Sequence, residues 1–68
     1  MDKKTIENNF TYHKPNDLQQ EKYVNIRELG KDMARLIEST VPVSREKSLS
    51  FTKLEEAIFW ANAGIARN

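Results

Sequence analysis

Pro42 stands in a short break between two long runs of helix-forming sequence, and that break dictates what the chain can fold into. A proline removes a backbone donor and clashes with the preceding turn, so a helix that reaches Thr40 has to stop there. The link that remains, Val41-Pro42-Val43-Ser44, is four residues long. So short a connection turns the second run back against the first, which makes an antiparallel helical hairpin.

Helix one is expected over residues 17–40. Pro15 disfavours helix before it, and Asp17-Leu18-Gln19-Gln20 has the form of a capping box, an acceptor followed by a glutamine that reaches back. Ile26, Leu29, Met33 and Leu36 then recur at spacings of three and four residues, one apolar stripe that Val24 and Ile37 widen. Ser44 is the expected N-cap of helix two, residues 45–67, because its oxygen can satisfy a free N–H of the first turn. Beyond it Phe51, Leu54, Ile58, Ala61 and Ile65 repeat as a heptad seam. Residues 1–16 read as an N-terminal arm and residues 41–44 as the turn of a single domain. No internal repeat, low-complexity tract or strand pattern competes with this division.

A chain of 68 residues buries only about 60% of its unfolded surface on folding, so its own core is marginal. With no cysteine and one histidine, neither a disulfide nor a structural zinc can compensate. Oligomerisation is the staple that remains. Helix two also carries Phe59, Trp60, Ala63 and Ala66 off its seam, and an exposed apolar patch of that kind marks an interface. The alternative is that Ile6 and Phe10 of the arm fold back over part of it. The expected fold class is therefore all-α: an antiparallel two-helix hairpin with an N-terminal aromatic arm, assembling into a compact helical oligomer.

Composition narrows the function. Hydrophobic residues are 38% and charged residues 31%, with a mean hydropathy of -0.73, the balance of a soluble chain. The start, MDKKTIENNF, lacks the apolar core of a secretory signal, and AIFWANAGIA falls well short of the roughly 20 apolar residues that span a bilayer. A cytoplasmic location is expected. Net charge is +1 and the pI about 8.0, below the value of roughly 9 that marks a domain gripping long nucleic acid by charge. A small anion held by a few placed cations is still allowed.

Catalysis finds little support. His13 has no fixed carboxylate to orient it, and Glu55 and Glu56 are neighbours in sequence, so on a helix they diverge by about 100°. Neither glycine belongs to a phosphate-loop pattern. The expectation is a protein with no enzymatic activity, no metal and no cofactor.

Cations give a more specific clue. Arg27, Lys31 and Arg35 recur every four residues as a basic row, either a solvated face in which Glu28 pairs with Lys31 and Asp32 with Arg35, or a phosphate contact. Ser44-Arg45-Glu46-Lys47-Ser48 gathers hydroxyls and cations at a helix start, where free N–H groups favour an anion, and Thr52 and Lys53 follow one to two turns on. Capping alone can account for that cluster; an acidic ligand is the other reading. In the arm, NFTYHKPN sets Phe10, Tyr12 and His13 beside Pro15. That is either a flat stacking surface next to a phosphate clamp, as used to hold unstacked bases, or a hydrophobic latch.

Taken together, FTYHKP, NIRELGKDMARLIE and SREKSLSFTKLEEAIFWANAGIARN resemble the hairpin domain of the family that includes phage anti-CBASS protein 2 and the sponge called Thoeris anti-defence protein 1. The resemblance implies capture, without cleavage, of the cyclic nucleotide messengers of bacterial anti-phage systems, in the cytoplasm of an infected host. It implies a homohexamer with cyclic dinucleotide pockets between protomers and separate pockets for cyclic trinucleotides. By that likeness Tyr12 is the stacking aromatic and Arg27 the basic residue of the dinucleotide site, with His13 beside the arm's tyrosine. Arg45, with Thr52 a turn or two along, falls to the trinucleotide site; Lys53 is a ligand candidate from the cationic start of helix two. Arg27 stands where the resemblance leads one to expect lysine, and Ala63 where it leads one to expect arginine.

Two rival readings come from other classes. A helix-turn-helix DNA binder is disfavoured by the apolar second half of helix two, the near-neutral charge and a turn without glycine. A helical adaptor that binds another protein through Phe59 and Trp60 stays open.

Overall fold

The computed structural model describes residues 2–10 and 14–68, which form three helices: α1 (Lys3–Phe10), α2 (Asp17–Thr40) and α3 (Arg45–Arg67). Helix is the only regular structure among the described residues. Packing of α2 against α3 dominates the tertiary contacts and gives the hairpin.

α1 falls within residues 1–16, the segment expected as the N-terminal arm. Its start is held by Asp2, whose carboxylate accepts from the Thr5 N–H at 2.7 Å. That bond also holds the Asp2 carboxyl below its ordinary pKa, because it favours the charged form. Ile6 and Phe10 stay exposed, Phe10 at 81%, so they do not fold back over Phe59 and Trp60.

The cap of α2 is one residue earlier than the sequence pattern suggests. Asn16, not Asp17, is the N-cap: its side chain accepts from the Gln19 N–H at 2.8 Å while Gln19 Oε1 accepts from the Asn16 N–H at 3.1 Å. The asparagine wins because the box needs its glutamine three residues on, and Gln19 stands there. Gln19 does more than cap, since its Nε2 donates to the Ile65 carbonyl of α3 at 3.1 Å and ties the open end of the hairpin.

The larger correction concerns which side of α2 faces α3. The half-buried residues of α2 are Gln19, Tyr23, Ile26, Gly30, Ala34 and Ile37, followed by Val41 at its C-cap, so of the expected stripe Ile26 and Ile37 face inward. Leu29, Met33 and Leu36 are exposed, Leu29 at 68%. The reason is helix separation. A Cβ built on Gly30 would stand 2.9 Å from Ile58 Cδ1, so the helices approach across a glycine and an alanine, a distance that a row of leucines would not permit. On α3 the expected seam faces inward, with Phe51, Leu54, Ile58, Ala61 and Ile65 half-buried.

The closed end is fastened by Lys47, the one buried residue among those described, 8% exposed. Its Nζ donates to the Glu38 carbonyl at 3.1 Å and lies 3.4 Å from Glu38 Oε2. A cation there satisfies a carbonyl left free in the last turn of α2 and meets the negative end of the helix dipole. Ser44 completes the corner, accepting from the Lys47 N–H at 3.1 Å and donating to the Pro42 carbonyl at 2.9 Å.

Lys47→Ala should therefore cost about 1.5–3 kcal/mol, the range for a hydrogen bond to a charged group. Glu38→Ala should cost less than about 1 kcal/mol, because that carboxylate is exposed and the carbonyl contact survives. Urea unfolding of the two variants checks the order; equal losses would show that the carboxylate, not the carbonyl, anchors the lysine.

Candidate functional site

The two broad sides of the hairpin differ in chemistry because residues two apart on a helix lie about 200° from each other around it. Leu29 and Met33 line one side; Arg27 and Lys31 line the other. On that second side a shallow groove of about 330 Å³ runs between the helices, walled by Arg27, Lys31 and Ala34 of α2 and by Phe51, Leu54, Glu55 and Ile58 of α3, with Gly30 between.

Three cations that look alike in sequence have different fates. Lys31 pairs with Glu28 at 3.8 Å and Arg35 with Asp32 at 3.3 Å, the pairs that a solvated face would make. Arg27 makes no ion pair among the described residues. It is thus an uncommitted guanidinium at the edge of a groove that holds an aromatic ring, with Lys31 one turn on. Glu55 across the groove carries the opposite charge, so an anion has to sit nearer α2.

The other sequence candidates are spread along α3. Thr52 is exposed, and its hydroxyl donates to the Ser48 carbonyl at 3.2 Å, leaving its lone pairs free. It stands in one row with Glu55 and Phe59, beside the groove. Lys53 lies two residues from both Phe51 and Glu55, hence across the helix from the groove, and pairs with Glu56 at 3.6 Å. Arg45 is exposed at the start of α3, about 9 Å along the axis from Phe51. The structure brings Arg27 and Thr52 to one side and leaves Arg45 and Lys53 apart from them. Lys47, grouped by sequence with a cationic helix start, is committed to the corner instead. Tyr12 and His13 lie outside the described residues.

Sequence reasoning missed Lys31, Phe51 and Glu55 as groove walls. The signal was present: Arg27 and Lys31 share a row two residues off the Leu29 row, and Phe51 is the one aromatic of its seam. A second groove, of about 400 Å³, is lined by Tyr23, Phe59, Asn62, Ala63, Ala66 and Arg67, of which the sequence singled out Phe59, Ala63 and Ala66 as an off-seam apolar patch. Phe59 and Trp60 meet edge to face there or beside it, ring centroids 5.4 Å apart. Among the described residues, no cluster of His, Cys, Asp or Glu could hold a metal ion.

The family described as "Acb2/Tad1, hairpin domain" matches residues 1–66. The chain belongs to this family. No curated protein and no solved structure matches it. The Acb2/Tad1 assignment agrees with the all-α hairpin observed, and it covers α1 as well as α2 and nearly all of α3. No helix among the described residues is long and apolar enough to cross a membrane.

Asn62 Oδ1 is buried with no hydrogen-bond partner among the described residues. An orphaned acceptor costs about 1–3 kcal/mol, so Asn62→Leu, which keeps the branched shape without the polar atoms, should leave stability unchanged or raise it. Thermal unfolding reads this directly; a loss above about 1 kcal/mol would show that the amide is engaged in the folded protein.

Proposed function

We propose that this protein is a phage anti-defence sponge that binds cyclic dinucleotide messengers, and cyclic trinucleotides at a second site, without cleaving them, and so starves CBASS-type effectors. The observation that carries this reading is Arg27: a guanidinium with no ion pair among the described residues, at a groove that also holds Phe51. A guanidinium grips phosphate with two parallel N–H bonds, and an aromatic ring accepts a base face. Membership of the Acb2/Tad1 hairpin family supports the ligand class.

In this proposal Tyr12 supplies a stacking ring to the dinucleotide, His13 flanks it and Arg27 holds a phosphate. Arg45 serves the trinucleotide, with Thr52 two turns along the same row of α3; Lys53, turned away and paired with Glu56, stays outside this site. The protein works as a homo-oligomer, a hexamer by family likeness, in the cytoplasm of the infected bacterium, with no cofactor and no long nucleic acid partner. A cyclic dinucleotide presents two bases and two phosphates, so two symmetry-related copies can each contribute one Tyr12 and one Arg27. A protein-binding adaptor is the second reading, favoured by the exposure of Phe59 and of Trp60.

Calorimetric titration with several cyclic di- and trinucleotides separates the two readings, since an adaptor gives no heat. Tyr12→Ala should weaken dinucleotide binding by about 1–3 kcal/mol per stacked base. Arg27→Ala should weaken it by about 1.5–3 kcal/mol through loss of a charge-assisted bond, whereas Arg35→Ala, already paired with Asp32, should leave it unchanged. Arg45→Ala should act mainly on trinucleotides. Bound nucleotide should be recovered intact after denaturation; linear product accumulating with time would refute a sponge.

A further inference from the structure

The groove that holds Arg27 is polarised across its width. Arg27 and Lys31 stand on its α2 wall and Glu55 on its α3 wall, with Phe51 one turn from Glu55 in the same row. Glu28, Asp32, Glu38 and Glu56 each lie within 3.8 Å of a cation. Glu55 makes no ion pair or hydrogen bond among the described residues. Its own helix offers it no cation, since Phe51, Thr52, Ile58 and Phe59 occupy the positions three and four residues away.

Nor does the opposite wall neutralise it. The helices are antiparallel with Gly30 against Ile58, so Glu55 is level with Met33 and Arg27 with Ala61. Six residues of helix separate those levels, about 9 Å along the groove. Lys31 is nearer in level to Glu55, and it pairs with Glu28 instead. One groove thus carries a guanidinium and a carboxylate that are both uncommitted, with an aromatic ring beside the carboxylate.

A nucleotide has the same polarity. Its phosphate is at one end, and the Watson–Crick edge of its base, beyond the sugar, is at the other. With the phosphate on the α2 wall and the base over Phe51, that edge faces α3 and Glu55. An ionised carboxylate only accepts hydrogen bonds, so it suits an edge with two adjacent donors. Guanine alone among the four bases has one, N1–H beside the N2 amino group. Adenine sets its N6 amino group beside the N1 lone pair, cytosine its N4 amino group beside N3, and uracil its N3–H between two carbonyls. Each of those brings an acceptor against the carboxylate, and an unmatched polar pair of that kind is what lets a site reject a ligand.

We infer that Glu55 is a base-specificity residue that accepts from N1–H and N2–H of guanine, so that the Arg27 groove prefers guanine-containing cyclic dinucleotides. The inference rests on the sponge reading above and adds base selectivity to the same groove. It also accounts for an acid on the wall of a groove whose other charges attract phosphate.

Calorimetric titration of the full chain with cyclic di-GMP, cyclic di-AMP and the mixed guanine–adenine ring tests it. The parent should bind cyclic di-GMP about ten- to a hundredfold more tightly than cyclic di-AMP, the range for one bidentate base contact, with the mixed ring between them. Glu55→Gln should level the two, because an amide pairs one donor with one acceptor and matches either purine. Glu55 is exposed, so both Glu55→Gln and Glu55→Ala should unfold at the parent's temperature. Equal binding of the two rings by the parent, a guanine preference that survives both substitutions, or a gain of the same factor for both rings on removing the carboxylate overturns the inference and leaves the sponge standing. No heat with any of the three rings overturns dinucleotide capture itself, and the inference with it.

Discussion

A single layer of helix cannot enclose a core, and most of what this chain does structurally follows from that. Apolar groups of α2 and α3 meet along one line, and every side chain on it keeps one flank in water, which is why even the seam residues are only half-buried. What holds the hairpin together is accordingly not bulk burial. It is close approach across Gly30, one buried lysine at the closed end and one glutamine amide at the open end. Each fastens one point along the two rods, so the pair is defined in register while staying poor in buried area.

The helices were legible in the sequence because their determinants are local. Pro42 stops α2, Ser44 starts α3, and a residue with a glutamine three positions on starts α2, even though the cap proved to be Asn16 rather than Asp17. Facing was legible on α3 and not on α2, for a physical reason. On α3 the large apolar residues and the inward line coincide. On α2 two lines run side by side, one of leucine and methionine and one with Gly30 and Ala34 among isoleucines. Hydrophobic periodicity weighs size, so it selects the first, whereas interhelical distance rewards smallness and selects the second. The short helix α1 escaped because eight residues with two apolar positions carry too weak a period to stand out.

Charge patterning was half legible. The i to i+3 pairs of Lys31 and Arg35 followed from spacing alone. That Arg27 lacks such a partner could also have been read, since Val24 and Gly30 stand at its i−3 and i+3 positions and neither is an acid. Lys47 could not: it sits among serines and charges that look like an anion cradle, and only the geometry of the corner turns it toward the Glu38 carbonyl. A cation aimed at the end of the preceding helix is a tertiary fact with no local signature.

The openness of the Arg27 groove bears on how such a chain could hold a small ligand tightly. One stacked base contributes about 1–3 kcal/mol and one charge-assisted contact about 1.5–3 kcal/mol. Their sum, about 3–6 kcal/mol, corresponds to a dissociation constant near millimolar, too weak to deplete a scarce messenger. Two equivalent halves acting on one two-fold ligand double the contacts while the entropy of association is lost once, which moves the constant toward micromolar or below. Sequestration by a site this shallow therefore requires a second copy at the ligand.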